Sequence, residues 1–264
     1  MSAAAAEKLS LHNVSKVYAS ANRSGIIALS EVDLHVRVGE FLCIVGPSGC
    51  GKSTLLSILA GLETPTSGSV LMDGLPIQKA GTERVVIFQE PALFPWLNVL
   101  DNVEFGLKMK NIPYPERREK ALQALELVHL SQFQDAYVHQ LSGGMKQRVA
   151  LARGLVLDPE ILLMDEPFAA LDAQTRDSLH EELSRIWAHT KKTIIFVTHN
   201  VREAARLGDR ILLLSAHPGT VLNEFKVTLP RPRFIEDPGV MDLARNITAQ
   251  LKSRHREIAP EVVI

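Results

Sequence analysis

Residues 46–54 read GPSGCGKST and satisfy the pattern G-x-x-x-x-G-K-[ST], and their flanks make that pattern a strong constraint on the fold. Immediately before it, FLCIV is a continuous apolar run of the kind found in strands covered on both faces. Immediately after it, KSTLLSILAGL reads as a helix stopped by Gly61. Strand, glycine-rich turn and helix in that order are the signature of a phosphate-binding α/β fold. The glycines let backbone N–H groups approach phosphates without side-chain obstruction. Lys52 adds a positive charge for the β- and γ-phosphates, the Ser53 hydroxyl can ligate Mg²⁺, and the helix turns its positive end toward the same anion.

The rest of the chain reads consistently with such a core. Apolar runs at 85–88, 161–164 and 194–197 predict further strands of a mostly parallel sheet flanked by helices. In contrast, 9–18 and 33–38 alternate apolar with polar residues, which suits half-buried antiparallel strands. Between Phe88 and Pro159 the period changes to that of helices. Val99, Val103 and Leu107 share one face, as do Ala121, Ala124, Leu125 and Val128. Ser142 predicts the N-cap of a helix carrying Val149, Ala152 and Val156. Another helix presents Leu179, Leu183, Ile186 and Trp187 before the chain returns to the sheet. HPGT reads as a turn, 221–229 as a last strand, and PRPRF as a stiff linker to a short amphipathic helix with Leu243, Ile247 and Leu251 on one side. The expected organisation is one nucleotide-binding domain over 7–230, with a helical subdomain at about 90–158 inserted in its α/β core. A C-terminal linker and helix follow over 231–264.

Composition narrows the function classes. Of 264 residues, 46% are apolar and 22% charged, an ordinary globular balance with room for a sizeable core. A formal net charge of -1 gives no overall attraction to a nucleic-acid backbone, and no nucleic-acid partner is expected. Cys43 and Cys50 are too few and too close for a disulfide framework. The start, MSAAAAEKLS, lacks the basic region and apolar length of a signal peptide. No run approaches the roughly 20 apolar residues a membrane span needs, so transmembrane work falls to a partner.

Two further motifs carry chemistry. ILLMDEP is an apolar strand ending in Asp165 and Glu166, and open α/β sheets gather ligands at the carboxyl ends of their strands. Next to a phosphate loop, that pair reads as a Mg²⁺-supporting Asp and a water-activating Glu. LSGGMKQR, residues 141–148, opens a helix on Ser142, Gly143 and Gly144, a second set of free N–H donors at a positive dipole end.

The combination of GPSGCGKST, Gln89, LSGGM, ILLMDEP, AALD and His199 resembles the ATP-binding cassette (ABC) ATPases, in the family's motif order over roughly residues 9–229. The resemblance implies an α/β P-loop ABC ATPase core with an antiparallel β subdomain and a helical insertion, ATP and Mg²⁺ as ligands, and a role for each matching residue. Tyr18 matches the aromatic that stacks on adenine. Gly46, Pro47, Ser48, Gly49, Cys50, Gly51, Lys52, Ser53 and Thr54 match the phosphate loop. Gln89 matches the glutamine that contacts Mg²⁺ and the attacking water. Ser142, Gly143 and Gly144 match the signature that closes on the γ-phosphate held by the other subunit. Asp165 matches the metal-supporting acid and Glu166 the catalytic base. Asp172 matches the loop acid joining the two sites across the dimer, and His199 the histidine that steadies the γ-phosphate. The chain departs from the pattern in reading SGGM for the commoner SGGQ, and in placing Ala169-Ala170 before the loop acid. Both changes spare the Ser142, Gly143 and Gly144 donors and Asp172.

PALFPW with NVLDNV, THNVREAARLGDRI, HPG and LPRPR together look like the nitrate/sulfonate/taurine group of bacterial importers. That resemblance implies an ATP-hydrolysing subunit at the cytoplasmic face of the inner membrane, acting as a homodimer beneath a transmembrane permease and served by a periplasmic or lipoprotein solute-binding protein. Leu93, Phe94, Pro95 and Trp96 are expected to line a groove for a permease helix, or else to pack within the helical insertion. The competing reading is a soluble ABC ATPase acting in DNA repair or translation. Repair members place a long coiled coil between phosphate loop and signature, and only about 90 residues without sustained heptads lie there. Translation members usually carry two cassettes, and one is present. A small-molecule kinase leaves LSGGM and His199 without a purpose.

Overall fold

The structure, a computed structural model, describes residues 6–19 and 25–258, and the side chains up to residue 252. The initial alanine run and the end of the C-terminal segment expected over 231–264 lie outside the described residues. In chain order the elements are β1 (Glu7–Tyr18), β2 (Ile26–Arg37), β3 (Phe41–Val45), α1 (Lys52–Ala60), β4 (Ser67–Met72), β5 (Leu75–Pro76) and β6 (Arg84–Ile87). There follow α2 (Val99–Met109), α3 (Tyr114–Leu127), α4 (Gly143–Leu155), β7 (Ile161–Asp165), α5 (Ala173–Thr190) and β8 (Thr193–Thr198). The chain closes with α6 (Val201–Leu207), β9 (Arg210–Leu214), β10 (Val221–Lys226) and α7 (Pro238–Ile258). These residues divide into two compact units, one of Met1–Ala80 with Thr193–Ile264 and one of Gly81–Lys192.

The first unit has two sets of strands. β2, β1, β4 and β5 lie in that order as an antiparallel sheet, the arrangement expected from the alternating stretches. β3 runs parallel to both β8 and β9, and β10 closes the edge antiparallel to β9. Every residue of β3 is fully buried. Each large aliphatic side chain so removed from water contributes about 1.5–3 kcal/mol, which is why FLCIV has no polar residue. Gly61 ends α1 in the left-handed conformation, φ 72°, its N–H returning to the Ile58 carbonyl at 3.0 Å.

The C-terminal third differs from the sequence-based expectation in three ways. β10 stops at Lys226 rather than continuing to 229, because its ladder partner β9 begins at Arg210, opposite Lys226. PRPRF is a clamp and not a linker. The Arg233 guanidinium is buried and donates to the carbonyls of Leu229 (2.8 Å) and Gly208 (2.6 Å), and more weakly to Ala205 and Arg206. It thereby satisfies carbonyls at the C-terminal end of α6 that the helix cannot satisfy itself. Burial and the neighbouring Arg231 charge lower its pKa to about 10. Arg231 adds a 2.9 Å ion pair to Asp209. Finally, α7 is 21 residues long, not short. Its face of Val240, Ala244 and Ile247 is buried, and it packs on α6.

In the second unit β6 and β7 pair in parallel, from Arg84 opposite Ile161 to Ile87 opposite Met164. β6 therefore starts one residue before the expected 85–88, and Phe88 lies beyond the ladder, 47% exposed. Helix α2 packs on α3 and α4, and α4 on α5. The Asn98 side chain caps α2 by accepting the Asp101 N–H at 2.7 Å. Asn102, fully buried, accepts the Phe94 N–H at 2.8 Å and donates to the Phe94, Leu97 and Asn98 carbonyls, fixing the course of the PALFPWLN stretch.

Candidate functional site

The first unit carries one set of the predicted residues. β3 ends at Val45 and β8 ends at Thr198, and those two residues are register partners in a parallel pair. Gly46 and His199, one residue further on in each chain direction, thus leave the sheet side by side from the same carboxyl end. Thr198 anchors the second exit. Its hydroxyl donates to Glu203 at 2.7 Å and accepts the Asn200 N–H at 2.9 Å, while the Asn200 side chain caps α6 through the Arg202 N–H. His199 stands exposed beyond that knot.

The loop itself is shaped by two left-handed glycines, Gly49 at φ 76° and Gly51 at φ 92°. At Gly51 the requirement is also steric, since a Cβ there would approach the Ala28 carbonyl to 2.6 Å and Leu29 Cδ2 to 2.8 Å. Lys52, 5% exposed, extends its ammonium inside the loop to the Gly46 and Pro47 carbonyls, both at 2.9 Å, with Cys50 Sγ at 4.0 Å. Ser48, Gly49 and Ser53 face solvent, whereas Gly46 and Cys50 are buried. Gly51 serves as N-cap of α1 with no side-chain cap, which leaves the first N–H groups of that helix directed at the loop. Tyr18 ends β1 opposite Ile26, two residues along β2 from the Ala28 that touches Gly51. Its half-buried ring carries the Lys16 ammonium at 5.0 Å.

The second unit carries the other set. The β6–β7 pair sets Ile87 opposite Met164, so Gln89 and Glu166 each follow two residues after the carboxyl end of that parallel pair. Glu166 has φ 44°, a conformation a non-glycine residue keeps only where its surroundings hold it. The hold is visible. The Glu166 carbonyl accepts the Ala169 N–H at 3.1 Å, and the following loop is tied by Arg176 to the Phe168 (3.2 Å) and Leu171 (2.6 Å) carbonyls. Asp165, the last residue of β7, is half-buried beside it.

Ser142 caps α4, its hydroxyl accepting the Met145 N–H at 3.3 Å, as its position in the sequence predicts. Asp172 caps α5 by accepting the Thr175 N–H at 3.0 Å, and that bond holds its carboxyl below the ordinary range. The two helix starts are locked together. A Cβ on Gly144 would collide with Thr175 Cγ2, and a Cβ on Gly143 would only touch Leu171 Cδ2 at 3.4 Å. Further along, Arg148 donates to the Ser178 hydroxyl at 2.9 Å and faces Glu182 at 3.8 Å. Signature and loop acid therefore form one rigid block in which Ser142, Gly143 and Asp172 are exposed. The sequence carried no local sign of the Arg148–Glu182 and Gly144–Thr175 contacts, because they join residues about 30 apart.

Of Leu93, Phe94, Pro95 and Trp96, Phe94 lines a cavity of about 310 Å³ bounded also by Phe88, Ala92, Phe105, Arg153 and Leu157. Phe94 stacks on Phe105 (4.5 Å between centroids) and Trp96 (5.5 Å), with the Arg153 guanidinium 5.7 Å above it. Arg153 is pinned to the Pro91 and Ala92 carbonyls at 2.8 Å, and desolvation lowers its pKa. Trp96 is 70% exposed.

A glycine loop after one parallel strand, an acid pair after another and a serine-capped glycine turn together define a nucleotide-hydrolysing cassette. The ABC transporter family model matches residues 29–169. An ABC transporter ATP-binding protein of Methanocaldococcus jannaschii, MJ0412, is 53% identical over 86% of this chain and 84% of its own. The nitrate import ATP-binding protein NrtD of Synechocystis is 46% identical (84% and 83% covered), and the taurine import ATP-binding protein TauB of Burkholderia thailandensis is 46% identical (85% and 86%). Among solved structures, the dimeric post-hydrolysis state of the cassette MJ0796 bound to ADP and Pi superposes with a TM-score of 0.74 at 36% identity, covering 84% of this chain and all of that one. The chain belongs to the ABC transporter family and is an ATP-hydrolysing cassette. No described helix is long and apolar enough to cross a membrane.

Proposed function

We propose that this chain energises a bacterial importer of a small anionic solute of the nitrate, sulfonate or taurine kind. It acts as a homodimer bound to the cytoplasmic face of the inner membrane, under a separate permease supplied by a periplasmic or lipoprotein solute-binding protein. The observation that carries the reading is that import ATP-binding proteins for two such solutes, nitrate and taurine, match it over more than four fifths of their length. A second feature supports the permease contact. The Phe94 cavity is lined by residues on either side of Gln89 in the sequence, and an apolar pocket whose Phe94 carries the exposed Trp96 against it suits a helix-borne anchor. Nothing favours a role in DNA repair or translation.

In this reading the Gly46, Gly49 and Gly51 backbone and Lys52 hold the phosphates of ATP, Tyr18 stacks on its adenine, and His199 donates toward the γ-phosphate. Glu166 orients the attacking water and takes its proton, with Gln89 beside it steadying the same water. The Ser142 and Gly143 end of α4 from the partner subunit closes the opposite side, and Asp172 joins the two sites. Mg²⁺ fits the donor set, which is hydroxyl, amide and carboxylate oxygen. Ser53, Gln89 and Asp165 would hold it, and it would neutralise charge on the phosphates.

The test is to co-express the chain with its permease and binding protein. Wild type should sediment with membranes and show ATPase stimulated by an oxyanion or sulfonate, and Trp96→Ala with Phe94→Ala should release it while leaving soluble ATPase intact. Stimulation by a sugar or amino acid, with none by any anion, would refute the solute class.

A further inference from the structure

The HPGT turn between β9 and β10 is packed against the phosphate loop, within the first unit. The Gly219 N–H donates to the Ala28 carbonyl at 3.0 Å, the Ser30 N–H donates to the Gly219 carbonyl at 3.0 Å, and a Cβ on Gly219 would run into the Cys50 carbonyl. On its other side the turn is closed by Ser215. That hydroxyl donates to the Pro218 carbonyl at 2.6 Å and accepts the Thr220 N–H at 2.8 Å. At the tip stands His217, at φ 23°. Its Cε1 and Nε2 lie 3.2 and 3.4 Å from the point where a Cβ on Gly49 would be. Ser48, Gly49 and His217 are all exposed, so the imidazole flanks the open rim of the loop and not its buried floor.

We propose that His217 is a nucleotide-contacting residue, its imidazole N–H donating to a phosphate oxygen of the bound nucleotide; this rests on residues 46–54 being the phosphate loop. A phosphate oxygen that accepts a backbone N–H of this loop sits about 3 Å from that nitrogen. An imidazole already packed over Gly49 reaches such an oxygen by side-chain rotation alone. The turn keeps a non-glycine residue at positive φ through four hydrogen bonds, none of which involves His217, so the histidine is presented by a scaffold that does not need it. The bare α-carbon of Gly49 is what gives the ring its place.

The experiment is equilibrium ATP binding by the full chain, with His217→Ala, His217→Phe and His217→Arg, and Lys52→Met in parallel. Ala and Phe should weaken ATP binding roughly tenfold, the effect of one hydrogen bond to a charged group, while Arg stays within about threefold of wild type. Nucleotide-free melting temperatures should not distinguish Phe from Arg. If Phe binds ATP as wild type does, the ring only packs and the proposal fails; it fails equally if all three variants bind normally. Normal binding by Lys52→Met would instead overturn the phosphate-loop assignment itself.

Discussion

Two glycine-rich turns each open a helix in this molecule, and they are built on different terms. The turn into α1 is dictated by the chain's own geometry. Gly51 is left-handed and has no room for a Cβ, no side chain caps the helix, and Lys52 lies folded within the loop. The turn into α4 is already capped, by Ser142, and its first glycine has a normal backbone and only a 3.4 Å neighbour. Gly144 is required by the chain itself, through Thr175; Gly143 is not. An exposed glycine at a helix start that the folded chain does not demand leaves its N–H open to approach from outside. On the proposed function the first turn encloses the nucleotide, and the second presents itself to the nucleotide held by the partner subunit.

The largest effect separates binding from chemistry. Glu166→Gln should lower the steady-state ATPase rate by about 10²–10⁴-fold, the range for removing a general base. Because both turns survive in that variant, it should accumulate as an ATP-bound dimer on size exclusion. An ATPase rate equal to wild type would deny Glu166 its role.

A smaller effect should tell the two turns apart. Gly51→Ala must force an L side chain into φ 92° against Ala28, and chemical denaturation should find it destabilised by about 2 kcal/mol. Gly143→Ala should unfold within about 0.5 kcal/mol of wild type. Equal losses at both positions would erase the distinction.

The smallest effect concerns Asp172. Its carboxyl is lowered from 3.8 by the bond from the Thr175 N–H. A depressed folded-state value means that the ionised cap stabilises the native state above pH 3.8 and loses that contribution as pH falls through the lowered value. Asp172→Asn should therefore melt below wild type near neutrality, with the gap closing as the pH falls below 3.8. A gap that stays constant with pH would mean that the charge is irrelevant to the cap.

How much of this was legible in the sequence follows from how local each feature is. FLCIV before GPSGCGKST announced β3 and its loop because burial on both faces leaves no polar residue in the strand. Ser142 announced its cap because the acceptor and the Met145 N–H are three residues apart. The place of Asp165 and Glu166 at a strand's carboxyl end follows from reading 161–164 as a parallel strand, whereas β6 begins one residue before the expected 85–88. Features made by distant partners were not legible. Arg231 and Arg233 look like linker residues until the carbonyls at 205–208 and Asp209 are known to face them. His217 reads as part of a turn until Gly49, 168 positions away, is found beneath it.

The central claim is that one chain's phosphate loop holds ATP and another chain's signature turn completes the site. Gly143→Asp tests it most directly, because it places a carboxylate where the γ-phosphate must approach and should leave the fold and the chain's own phosphate loop intact. Measured side by side, ATP binding should remain within about threefold of wild type, while single-turnover hydrolysis falls by about 10²–10³-fold, as for loss of a donor to the reacting phosphate. Hydrolysis by Gly143→Asp at the wild-type rate would contradict the account.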